Sequence, residues 1–83
     1  MAILISYDVS DKNAEFKNIL MGKGYEASFT LAGVPKPLPE STLIKTNGTE
    51  RAAINDMRTA AQQLQIELER AVAVSMAGIE LFP

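Results

Sequence analysis

Eighty-three residues with a formal charge of −2, no cysteine and no histidine leave room for one domain, residues 1–83, and remove several chemistries at once. Disulfides, zinc–thiolate sites and thiol nucleophiles are excluded, and the commonest general base and zinc ligand are missing. The negative balance, with eight Lys and Arg spread along the chain, counts against strong sequence-independent binding to nucleic acid.

The chain opens on Ala2–Tyr7, an apolar run that suits a central strand buried on both faces. Asp8 closes it and Ser10 and Asp11 follow as candidate N-caps. Ala14, Phe16, Ile19 and Leu20 recur at helical spacing, so a helix is expected over about Lys12–Met21, stopped by Gly22 and Gly24. Gly22-Lys23-Gly24 lacks the spacing of a phosphate loop.

Tyr25–Ala32 alternates with period two and reads as a half-exposed antiparallel strand. Gly33–Glu40 has three prolines in five residues, which predicts an extended, polyproline-like connector. Ser41–Thr46 is the next strand, Asn47-Gly48 a turn, and Thr49 the cap of the most secure helix, Thr49–Leu64. Its apolar face is rich in alanine, which allows close packing on a sheet. A last strand is expected over Arg70–Met76, although QLQIELER would also continue the helix. Ile79, Leu81 and Phe82 form an apolar tail suited to a dimer or partner contact, adding a short strand to its own sheet or to a neighbour's edge.

The order β-α-β-β-α-β predicts an α+β, ferredoxin-like domain: a four-stranded antiparallel sheet with both helices on one face. The first and third strands would be central, and the uncovered face argues for a homodimer. No apolar run approaches the length of a membrane span. Without a basic n-region at its start, the chain is expected to be cytoplasmic.

Ile3–Ser10, I-L-I-S-Y-D-V-S, resembles the first strand of Cas2-like proteins, and the helix ending in Gly22, Gly24 and Tyr25 continues the likeness. Glu40–Thr46 is similar to a segment of small SinR-like relatives. The resemblance touches about half the chain. It implies a ferredoxin-like homodimer beside CRISPR adaptation machinery, in some members with metal-dependent nuclease activity, and its metal-binding aspartate would fall on Asp8. The chain departs from the family in lacking basic residues on its second strand and in the proline-rich segment.

Asp8 is thus the candidate catalytic residue. Two copies across a dimer axis would hold one Mg²⁺, a hard cation that takes oxygen ligands, and the metal would activate water for phosphodiester cleavage. Asp11 is a candidate second ligand, and otherwise a cap. In the simpler reading, Asp8 ends the strand by accepting hydrogen bonds from the following loop. Tyr7 reads as a packed strand aromatic, the alternative being a base-stacking platform. Two functions follow: a homodimeric module that binds protein or nucleic acid, or a metal-dependent ribo- or deoxyribonuclease using Asp8 from both subunits.

Overall fold

The structure is a computed structural model that describes residues 1–77. In chain order it contains β1 (Ala2–Val9), α1 (Asn13–Gly22), β2 (Ser28–Leu31), β3 (Val34–Pro37), β4 (Thr42–Lys45), α2 (Glu50–Leu64) and β5 (Leu68–Met76). The class is α+β, as expected. β1 lies at the centre of a three-stranded antiparallel sheet of order β4-β1-β5, while β2 and β3 form a separate two-stranded sheet.

The four-stranded sheet is therefore a correction. The chain before β2 touches β4 at one bridge, Glu26 to Ile44, where the two residues exchange N–H···O bonds of 2.7 and 2.9 Å. It then leaves β4 to pair with β3. The cause is local. Ala32 and Gly33, both at positive φ (53° and 79°), form a two-residue hairpin loop between the paired residues Leu31 and Val34.

The segment expected as a polyproline-like connector is thereby a strand over Val34–Pro37. Its prolines fall where a ladder tolerates them. The Leu38 N–H donates to the Ala27 carbonyl at 2.9 Å, so the even-numbered residues of this strand turn their amides towards β2. Pro35 and Pro37 alternate with them and turn their ring nitrogens to the open edge, where no N–H is needed.

β1 also departs from expectation. It is buried on one face only. Ile3, Ile5 and Tyr7 are buried on the helix side, whereas Leu4 is half-buried and Ser6 exposed on the other. Both helices cover the same face. Phe16 and Leu20 of α1 and Ala53, Met57, Ala60 and Ala61 of α2 share one core with Ile3, Ile5, Tyr7, Tyr25 and Leu43. Burial of Phe16, Met57 and each of the large aliphatics contributes roughly 1.5–3 kcal/mol.

The helices begin differently. Thr49 caps α2 as expected, its Oγ1 accepting the Ala52 N–H at 3.2 Å. Ser10 and Asp11 do not cap α1. The residue before that helix is Lys12, at φ 53°, with no side-chain cap. Asp11 Oδ1 instead accepts the Lys12 N–H at 2.8 Å, and Ser10 Oγ accepts the Glu67 N–H at 3.0 Å. The Ser10 bond ties the β1–α1 loop to the α2–β5 loop, helped by Lys12 Nζ on the Leu64 carbonyl at 3.4 Å.

Candidate functional site

Strand parity builds the site. β1 pairs with β5 so that Leu4 faces Val74, Ser6 faces Val72 and Asp8 faces Arg70. Opposed residues share a face, and on the β4 side Leu4 pairs with Ile44 and Ser6 with Thr42. The face away from the helices therefore carries Leu4, Ile44, Val72 and Val74, of which Ile44 is buried and Leu4 half-buried, with an ion pair at one end. Val72 is 55% and Val74 42% exposed.

At that end, the Arg70 guanidinium donates from Nε and NH2 to one oxygen of Asp8, Oδ2, the Nε contact being 2.7 Å. The Arg70 side chain is 81% exposed and that of Asp8 46%. An exposed pair of this kind contributes about 0–1 kcal/mol, because water screens it and two side chains must be held still. A shallow cleft of about 170 Å³ adjoins the pair, lined by Ser6, Tyr7, Asp8, Arg70 and Val72.

The two carboxylates singled out for a metal are thus differently engaged: Asp8 on the open face with Arg70, Asp11 on the Lys12 amide. Among the described residues, no three Asp, Glu, His or Cys side chains gather as a metal-ligand group. Asp8 Oδ1 makes no hydrogen bond among the described residues, so at this point the chain offers a hard cation, which takes about six ligands, one carboxylate oxygen. Ile79, Leu81 and Phe82, the expected partner contacts, lie outside the described residues.

Both tyrosines lie in the core, with contrasting hydroxyls. The Tyr7 ring packs on Phe16, with centroids 4.7 Å apart and planes at 60°. It is a packed aromatic, and its hydroxyl is buried without a hydrogen-bond partner among the described residues. Burial, and then the charge of Glu40, raise its pKa. Tyr25 donates its hydroxyl to Asp56 Oδ2 at 2.9 Å, with Lys45 Nζ 5.3 Å from the ring centroid. Burial first, then the bond to Asp56, push this phenol well above its ordinary range.

Arg70 and Asp56 were not singled out as site residues in the sequence. Arg70 acquires its role only from the β1–β5 register, and Asp56 only from the packing of α2 against the chain after α1. A composition-level signal for either is absent, since each is one charge on an otherwise mixed surface. Comparison with protein-family models, curated proteins and solved structures finds no match to this chain. No helix among the described residues is long and apolar enough to cross a membrane.

Proposed function

We propose that this chain is a small homodimeric binding module of Cas2-like type, which associates through the open face of its sheet. The observation that carries the reading is the exposed apolar pair on that face, Val72 and Val74, beside the half-buried Leu4. A chain of this length buries only about 60% of its unfolded surface, so a second copy adds burial the monomer lacks. The face favours protein over nucleic acid, because a phosphate backbone calls for clustered cations and the single arginine here is already paired with Asp8. The bridge from Glu26 to Ile44 supports the ferredoxin-like topology, since it sets the lead-in to β2 beside β4.

Light scattering after size exclusion tests the reading. The wild-type chain is expected to elute as a dimer. Val72→Asp with Val74→Asp is expected to be a monomer with an unchanged far-ultraviolet circular dichroism spectrum. A wild-type monomer at tens of micromolar would sink the proposal.

A second reading keeps Asp8 as a metal ligand. It draws on Asp8 lying on the same open face with both Arg70 hydrogen bonds on Oδ2, not on Oδ1. Face-to-face pairing would set two such carboxylates on facing surfaces, with Mg²⁺ as the shared cation. Mg²⁺-dependent cleavage of RNA or DNA that disappears in Asp8→Ala, with the dimer intact, is its expected signature. Equal cleavage by both proteins would dismiss it.

A further inference from the structure

β5 lies at one end of the three-stranded sheet. β1 pairs with one side of it, and no strand among the described residues pairs with the other. Two open cavities run along α2. One, of about 390 Å³, lies between α2 and β5, with Ile54, Arg58, Ala61, Leu68 and Ala71 in its wall. The next, of about 400 Å³, is lined by Glu50, Arg51, Ile54, Asn55 and Arg58. Ile54 and Arg58 belong to both, so the two make one groove. We propose that this groove and the outer edge of β5 receive an extended segment of another protein, which adds to β5 as an antiparallel strand and turns one acidic and flanking apolar side chains, at alternate positions, into the groove.

The backbone half of the recognition follows from the register. The Tyr7 N–H donates to the Ser41 carbonyl, on the β4 side of β1. Successive residues of a ladder bond to opposite sides, so the odd residues of β1 bond towards β4 and the even ones towards β5. Glu26 and Ile44 give the same answer independently: Ile44 bonds away from β1, which leaves Leu43 and Lys45 bonding to Ile5 and Ile3. Ala2, Leu4 and Ser6 oppose Met76, Val74 and Val72. Those three bond inward, so the N–H and C=O groups of Ala71, Ala73 and Ser75 point to the outer edge. Ala71 and Ala73 share the helix side of the sheet with Tyr7 and Ile5, which they oppose. An incoming residue that bonds one of these three positions therefore sets its own side chain on the helix side, towards the groove.

Charge selects the side chains. The chain has three arginines, Arg51, Arg58 and Arg70, and all three line this groove, whereas no lysine does. Arg70 is engaged with Asp8. Arg51 and Arg58 are exposed and form no salt bridge among the described residues. Two carboxylates share the groove. That of Glu50 is held below its ordinary range by its own backbone amide and then by Ser75, so it is engaged within the chain. That of Glu69 offsets one of the two remaining guanidiniums, which leaves one for a partner. A planar guanidinium suits a carboxylate with two parallel hydrogen bonds, and Ile54, Leu68 and Ala71 suit apolar neighbours on either side of it. A phosphate backbone is a poorer fit, because it calls for a row of cations that Glu50 and Glu69 interrupt. A second copy offering its own β5 edge would bring Ala71, Ala73 and Ser75 to the groove side, with no acid among them. The inference deepens the binding-module reading by naming a partner, and it uses the edge of the sheet, not its open face, so a chain that proves monomeric is still expected to bind.

The probe is a blocked peptide, Thr-Val-Thr-Glu-Thr-Val-Thr, added to the full chain at millimolar concentration, with amide exchange read residue by residue. It is expected to slow exchange at Ala71, Ala73 and Ser75 at least tenfold and to leave Val72 and Val74, bonded to β1, unchanged. N-methylation of the peptide's valines and glutamate, whose amides face β5, is expected to abolish the effect. Arg58→Glu is expected to weaken binding at least fivefold, and exchanging the peptide's glutamate for lysine to restore it, a rescue that general damage to the fold does not give. Exchange at the three edge amides that the peptide leaves unchanged would overturn the proposal. Exchange already slow there in the dilute free chain would assign the edge to the chain itself, and slowing with protein concentration alone would assign it to a second copy; either result overturns it. Equal binding of the peptide by wild type and Arg58→Glu would remove the acidic side chain from the partner and overturn it too.

Discussion

Replacing each tyrosine by phenylalanine removes one oxygen from a buried ring, yet the two changes should move stability in opposite directions. In Tyr7 the hydroxyl is inaccessible and has no partner among the described residues, while the ring keeps its contact with Phe16. An unsatisfied buried polar group costs about 1–3 kcal/mol, so Tyr7→Phe should stabilise the fold by roughly 1 kcal/mol or more. In Tyr25 the hydroxyl bonds Asp56 at 2.9 Å. A bond to a charged acceptor is worth about 1.5–3 kcal/mol, but Asp56 is half-buried and regains water when the partner goes. Tyr25→Phe should therefore destabilise by about 1–2 kcal/mol. Urea unfolding followed by circular dichroism at 222 nm measures both, since the chain has no tryptophan. With a slope near 1 kcal/mol/M the midpoints should part by about 2 M. A Tyr7→Phe protein less stable than wild type would show that the hydroxyl has a partner.

Both tyrosines also predict the alkaline limb of stability. Each folded-state pKa is raised, Tyr7 by burial and then Glu40, Tyr25 by burial and then Asp56. The neutral phenol is thus favoured in the folded chain. Above about pH 10, the unfolded chain releases these protons first and binds fewer than the folded one, so stability falls as pH rises. It should be level with respect to these groups below pH 10, fall above it, and fall less steeply in Tyr25→Phe; equal slopes would contradict the assignment. Ala32 sits at φ 53° in the β2–β3 turn, so Ala32→Asn, creating Asn-Gly, should raise the urea midpoint by the equivalent of about 0.5–1 kcal/mol. Thr49→Ala removes the cap on the Ala52 amide and should cost about 1 kcal/mol by thermal unfolding. Asp8→Ala should change unfolding free energy by under about 1 kcal/mol, because its partner Arg70 is exposed.

The parts of the fold legible in the sequence are those set by local chemistry. Thr49 and the alanine stripe through Ala53, Ala60 and Ala61 define α2, because a cap and a helical period act within a few turns. The expected first helix lies within one residue of the observed Asn13–Gly22 at each end. What was not legible depends on pairing. Ala32-Gly33 is as compatible with a loop as with a hairpin until a partner strand is found, and prolines at alternate positions look like a bar to pairing until their parity is known. Ile3-Leu4-Ile5 is uniformly apolar, which predicts burial on both faces. The next residue, Ser6, is exposed on the face that Leu4 shares, and that break in the run was the available sign.

Asp8 shows why a site can be half visible. An acid at the end of an apolar strand is conspicuous in sequence, but its meaning depends on what the register sets opposite. The register sets Arg70 there, and the pair is exposed enough that the fold gains little from it. A side chain that the fold can lose at small cost is one whose loss can be read as function. If Asp8→Ala and Arg70→Ala leave unfolding and the proposed dimer unchanged, any effect on partner capture or cleavage belongs to the ion pair's own groups. The two readings then separate cleanly. A metal role makes Asp8→Ala damaging and Arg70→Ala harmless or beneficial, since removing the guanidinium frees the carboxylate for a cation. A binding role that uses the ion pair makes the two substitutions equivalent.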